Sequence, residues 1–150
     1  RGLIERVVPT ADLLIGAVLT PGGRAPTLVD EDLVQQMRPG SVIVDVAIDQ
    51  GGCIASSEET THTAPVIEKF GVQHYAVGNM PGAVPFTSTE ALVSVTLPYI
   101  VTIAGRGLSE AVTERPELLS GLNTVEGAVC HPGVARALDV QPRHPMACLR

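Results

Sequence analysis

The stretch Gly40-Ser41-Val42-Ile43-Val44-Asp45-Val46-Ala47-Ile48-Asp49-Gln50-Gly51-Gly52-Cys53 decides the fold. Pro39-Gly40 precedes it and Gly51-Gly52 closes it, so the run from Ser41 to Ile48 is short and bounded by turn residues at both ends. It is β-branched almost throughout, with no alternation of polar and apolar positions, the pattern of a strand covered on both faces in a parallel sheet. Two further apolar runs flank it, Ala11 to Val18 and Val72 to Val77. Their starts lie about thirty residues apart, the usual length of a βαβ unit. Between the first two, Asp30 can cap a helix through Met37. Glu31 and Asp32 suit its positive end, and Pro39-Gly40 stops it. The expected fold is therefore α/β, a doubly wound parallel sheet. The second crossover is expected to hold a short helix from Pro65 to Phe70, stopped by Gly71.

Beyond Val77 the character changes. Asn79 to Pro85 is a Pro/Gly-rich connector. Ser88 is expected to cap an apolar helix from Thr89 to Ala104, kinked at Pro98 and ended by Gly105 and Gly107. The apolar stretch Ala91 to Ala104 is 14 residues long, shorter than the roughly 20 needed to cross a bilayer, so a buried helix is expected. A helix over Pro116 to Leu122, a strand over Thr124 to Val129, a helix over Gly133 to Leu138 and an irregular tail after Asp139 complete the reading. A domain boundary is expected near Pro85, giving residues 1–85 and 86–150. The chain opens on Arg1 and on Leu3 to Val8, which looks like the tail of a helix. The expectation is a piece of a longer protein.

Composition narrows the function. The chain has 150 residues, a net charge of −6, 17% charged and 3% aromatic residues. Its Lys and Arg side chains are scattered singly, so both the electrostatic track and the stacking platform of a nucleic-acid binder are missing. Low charge density suits a piece that buries part of its surface against a partner. Cys53, Cys130 and Cys148 are odd in number, far apart and without Cys/His ligand spacing. Free thiols in a reducing cytoplasm are expected, with neither a disulfide framework nor a metal site. His62, His74, His131 and His144 show no metal spacing and no obvious nucleophile partner, and read as structural or surface residues.

In an open parallel sheet, ligands bind beyond the carboxyl ends of the strands. The unusual residues of this chain fall there: Thr20 to Pro26 after the first strand, Asp49 to Cys53 after the second, and Gly78 to Gly82 after the third. Paired glycines allow close approach of backbone to a flat ligand, and the Asn79 amide can both donate and accept. On residue type alone Asp49 is either functional or a solvated capping residue, Asn79 either a ligand group or a turn initiator, and Arg24 a solvated loop charge. Neither GxGxxG nor a P-loop occurs, so any pyrophosphate-binding turn is expected upstream of Arg1.

The strings ADLLIGAVLTPGGRAP (Ala11 to Pro26), GSVIVDVAIDQGGC (Gly40 to Cys53), VGNMPGAVPFTST (Val77 to Thr89) and LSGLNTVEGAV (Leu119 to Val129) resemble the alanine dehydrogenase family in order and spacing. The resemblance spans nearly the whole chain, except the tail after Val140. The related alpha subunit of proton-translocating transhydrogenase shares the loops but typically has Glu where this chain has Asp49, which favours the dehydrogenase. A non-catalytic truncated remnant is the other alternative. The resemblance implies the second half of a Rossmann-type domain followed by the returning part of a substrate domain. It implies interconversion of L-alanine with pyruvate and ammonia using NAD in a cytoplasmic homo-oligomer, with no nucleic-acid or membrane partner. Asp49 is the implied catalytic residue. Val18, Leu19, Val46, Ala47, Ile48, Asp49, Val77, Gly78, Asn79 and Met80 are the implied cofactor site. Ala is more usual at Gly78, where a missing methyl is expected to loosen packing without abolishing binding. The remaining catalytic groups belong to the missing N-terminal half, and the single lysine, Lys69, read on a surface helix, is no substitute.

Overall fold

The computed structural model describes residues 2–149. They form two compact units, one comprising the chain up to Thr20 with Arg24–Ala83, the other Pro21–Gly23 with the chain from Val84 onward.

The first unit is a four-stranded sheet. Helix α1 (Gly2–Val7) leads into strand β1 (Leu13–Gly16). Helix α2 (Glu31–Val34), strand β2 (Val42–Asp45), β3 (Val66–Lys69) and β4 (Val72–Tyr75) come next, in the spatial order β1-β2-β4-β3. β1 pairs β2 in parallel through Leu13↔Val42, and β2 pairs β4 in parallel through Val44↔Tyr75. The fold is thus α/β with a mainly parallel sheet. The Asp30 carboxylate caps α2, accepting from the Leu33 N–H at 3.0 Å, although α2 ends at Val34 and the chain to Met37 continues in turns. Val29, Leu33, Val34, Met37, Ile43, Ile54 and Val72 form the core beneath the sheet.

The expected helix from Pro65 to Phe70 is instead β3, antiparallel to β4 with Lys69 opposite Val72. Phe70 (φ 57°) and Gly71 (φ 74°) both lie in the left-handed region, as a two-residue type I′ hairpin turn requires. Gly71 therefore turns a hairpin rather than stopping a helix. Lys69 sits on this edge strand, bound to Glu58 at 2.6 Å. β1 forms the opposite edge, with Leu13 and Ile15 exposed.

In the second unit, helix α3 runs from Pro85 to Glu114. Pro85 occupies the first helical turn, where a missing N–H costs nothing, so the helix starts before Ser88, which lies inside it. The break in helical dihedrals falls at Gly107 (φ 76°, ψ 166°), not at Pro98. At 30 residues the helix is long and apolar enough by length and composition to cross a membrane, contrary to the expectation from its apolar stretch. It is also not a buried helix: Leu92 is 62% exposed, Ile100 58% and Val101 61%, and only Ala111 and Val112 are buried. A 3-10 segment (Pro116–Gly121), the hairpin β5 (Thr124–Val125) and β6 (Ala128–Val129), α4 (Pro132–Leu138) and α5 (Pro145–Cys148) complete the unit. The tail after Asp139 is irregular through His144, as expected, apart from the short helix α5 that follows.

Candidate active site

The site is built from the loops that leave β1, β2 and β4 at their carboxyl ends. After β2 the backbone makes a 3-10 turn, Val46–Gln50, and then passes through Gly51 (φ 94°) and Gly52 (φ 74°), both left-handed. This turn is held by Asp45, fully buried at the end of β2. Its Oδ1 accepts from the Ala47 N–H at 3.1 Å, and its Oδ2 accepts from the N–H groups of Cys53 at 3.0 Å and Ile54 at 3.2 Å. A buried carboxylate is tolerated because several backbone donors converge on it. Cys53 lies against it. Burial first, then the Asp45 charge and the thiol's own hydrogen bond to it, push the Cys53 thiol up to about 11. Cys53 is therefore a protonated structural thiol, not a nucleophile.

Two sets of hydrogen bonds join the three loops. The Gln50 side-chain carbonyl accepts from the Thr20 N–H at 3.2 Å, and the Gln50 backbone carbonyl accepts from the Ala25 N–H at 2.9 Å. The Asp49 Oδ1 accepts from the Asn79 N–H at 3.0 Å. The loops after the strands thus share one rim, with the exposed Asp49 between them. The Arg24 guanidinium lies close over Gly51, where a Cβ would meet Nε at 2.9 Å.

The residues named from the sequence divide by exposure. Leu19, Val46, Asp49 and Asn79 are exposed, and Val18, Gly78 and Met80 are partly so. Ala47, Ile48 and Val77 are buried, so their side chains support the rim from beneath and could offer a ligand only backbone. A backbone-rich rim with apolar surface at Leu19 and Val46, an exposed carboxylate at Asp49 and a second at Glu59 against Gly78 leaves room for the flat ring of a nicotinamide. Among the described residues no cluster of three His, Cys, Asp or Glu side chains could hold a metal.

Two contributors to the rim, Asp45 and His62, lie outside the residues named from the sequence, while His74 is structural as read. Asp45 was legible as the one charge inside an otherwise apolar strand. His62 carried no signal, yet its Nε2 meets the Asn79 carbonyl at 3.1 Å. His74 is fully buried: its Nδ1 lies 2.9 Å from the Val72 carbonyl and its Nε2 2.8 Å from the Ser56 hydroxyl. Since a carbonyl only accepts, Nδ1 carries the proton and Nε2 accepts from Ser56. Burial holds the His74 pKa below its ordinary value, so His74 is a neutral structural residue.

With this geometry in place, comparison with known proteins is specific. The family model described as alanine dehydrogenase/PNT, C-terminal domain, matches residues 1–132. The chain belongs to that family. It is 57% identical over 138 residues to an alanine dehydrogenase of Methanococcus maripaludis, covering 91% of this chain and 37% of that protein. It is also 57% identical over 139 residues to the alanine dehydrogenase of Bacillus subtilis, covering 92% and 37%. A solved L-alanine dehydrogenase superposes with a TM-score of 0.74 at 54% identity over 92% of this chain and 38% of that one. A transhydrogenase from Sinorhizobium meliloti gives 0.62 at 28% identity over 71% and 30%. The chain spans about 37% of the length of the curated relatives it matches. The family carries with it a nicotinamide cofactor.

Proposed function

We propose that this chain supplies the nicotinamide-side half of an NAD-dependent alanine dehydrogenase, which interconverts L-alanine with pyruvate and ammonia in a cytoplasmic homo-oligomer. The observation that carries the reading is the exposed Asp49 carboxylate, held at 3.0 Å by the Asn79 N–H where the loops meet. The dehydrogenase reading is favoured over a transhydrogenase-type subunit by identities of 54% and 57%, against 28%.

When bound, the nicotinamide supplies the hydride acceptor. The chain's own residues do the rest. The exposed parts of Val18, Leu19 and Val46 offer apolar surface to the ring, and the backbone around Gly78–Met80 offers close approach. Deamination passes through an iminium and a carbinolamine on the substrate, so a group that moves a proton and faces a developing cation is needed. Asp49 does both, and its bond to Asn79 fixes the carboxylate through Oδ1 while leaving Oδ2 outside that bond. Groups that grip the substrate carboxylate come from the remainder of the enzyme, so this chain alone is expected to show no alanine-dependent reduction of NAD.

The test is Asp49→Asn in the full-length enzyme. Asn keeps a carbonyl oxygen for the Asn79 N–H but loses the charge and the titratable proton. Turnover should fall roughly 10²–10⁴-fold with nucleotide affinity little changed. Turnover near that of the parent would return Asp49 to a capping role, which Asn fills about as well as Asp, and remove the reading's main support.

A further inference from the structure

Asn79 has φ 53°, one of the few non-glycine residues in the left-handed region. Asn tolerates this conformation better than most residues, but it is still a position that surrounding contacts must hold. Three contacts grip it, one on the N–H side of its φ/ψ pair and two on the carbonyl side. Its N–H, on the peptide before it, donates to Asp49 Oδ1 at 3.0 Å. Its carbonyl, on the peptide after it, meets the His62 Nε2 at 3.1 Å and also accepts from the Gly82 N–H at 2.9 Å. A carbonyl cannot donate, so His62 is the donor.

His62 reaches that point through a fixed path. Thr60 forms a parallel bridge with Val77: its N–H donates to the Ala76 carbonyl at 2.9 Å, and the Gly78 N–H donates to the Thr60 carbonyl at 3.2 Å. The turn beyond is closed by the Ala64 N–H on Thr61, through the backbone carbonyl at 3.1 Å and Oγ1 at 3.2 Å. The far wall is equally tight. A Cβ on Gly82 would lie 3.1 Å from the Asn79 Nδ2 and 3.4 Å from the His62 Nε2. Asn79 is therefore held by Asp49 and His62, each from a separate turn, and by Gly82 within its own.

We propose that His62 is a positioning residue for the reaction: by pinning the Asn79 carbonyl it aims the Asn79 N–H at Asp49 and so fixes the carboxylate that faces the substrate. His62 acts through Asn79, whose carbonyl its Nε2 meets at 3.1 Å. The inference rests on the reading of Asp49 given above and adds to it the residue that sets its orientation.

The experiment uses the full-length enzyme with three substitutions, His62→Phe, His62→Ala and His62→Gln. Phe fills the space without a donor, Ala removes both, and Gln keeps an N–H able to reach a carbonyl. For Phe and Ala, kcat should drop roughly 10- to 100-fold, the scale of a displaced catalytic group, while KM for NAD stays near the parent value. The thermal midpoint should move by less than about 4 °C, as for a single surface contact. Gln should recover most of the lost kcat. Parent-like kcat in Phe and Ala would overturn the proposal. So would a loss of kcat that tracks the thermal midpoint across all three variants without recovery in Gln, since that is the mark of a purely structural role. A parent enzyme with no alanine-dependent NAD reduction would overturn the proposed function and this inference together. An active parent with indifferent variants overturns the inference alone.

Discussion

Asp45 offers the sharpest test of how the site is built. In Asp45→Asn the side chain keeps its shape but one oxygen becomes an NH₂ group, which cannot accept. The carbonyl that remains can serve either the Ala47 N–H, now held at 3.1 Å, or the pair from Cys53 and Ile54 at 3.0 and 3.2 Å. At least one buried N–H then faces another donor. Losing a hydrogen bond to a charged acceptor costs about 1.5–3 kcal/mol, and a buried donor left unsatisfied about 1–3 kcal/mol. These overlap, so a local destabilisation of about 2–3 kcal/mol is expected. Amide hydrogen exchange reads it directly. At about 1.4 kcal/mol per factor of ten, amides of residues 47–54 should exchange roughly 30- to 140-fold faster, with the strands less affected. Asp45→Ala, which orphans every one of these donors, should go further. Exchange in residues 47–54 indistinguishable from the parent would refute the claim that this carboxylate holds the turn.

The other expected outcomes concern separate parts of the chain. Gly78 lies outside the left-handed region, and a Cβ there would meet only the end of the flexible, exposed Glu59 side chain. Gly78→Ala should therefore stabilise the protein by about 0.4–1 kcal/mol, and a lower unfolding midpoint would contradict this. His74, its pKa lowered mainly by burial, is neutral when folded and binds a proton more readily when unfolded. Its contribution is complete above about pH 6.5 and is lost as pH falls toward the lower folded value. Stability measured from pH 7.5 to 5 should therefore decline less steeply in His74→Gln than in the parent, and parallel profiles would exclude this linkage. Helix α3 leaves Leu92, Val95, Leu97, Ile100 and Val101 about half exposed or more, so the 150-residue chain expressed alone should self-associate. Light scattering that gives a monomer with a sharp melt would count against that.

How much the sequence discloses depends on how local the cause is. β2 was legible because Val42, Ile43 and Val44 fill consecutive strand positions between turn residues, and the α2 cap because Asp30 precedes its helix directly. β3 was not: Val66 and Ile67 are too short a signal, and Phe70 is a poor advertisement for a left-handed turn position. The second unit failed on boundaries. Pro85 reads as a terminator but sits in the first turn of α3, and Gly107 interrupts the segment without ending it.

The site itself is legible one step further than its pieces suggest. Asp49 and Asn79 are 30 residues apart, and nothing in either loop names the other. Yet Asp49 lies four residues past the end of β2, and Asn79 four residues past the end of β4. In a parallel pair, equal distances beyond the strand ends arrive side by side, and the register Val44↔Tyr75 makes the two strands end nearly level. Once the sheet is known to be parallel, the encounter of Asp49 with Asn79 can be had by counting. His62 cannot be placed in this way. It reaches Asn79 from the segment before β3, through the bridge of Thr60 to Val77, a path that neither periodicity nor spacing encodes. A contact of that kind depends on how an irregular loop folds back, and only the three-dimensional structure can supply it.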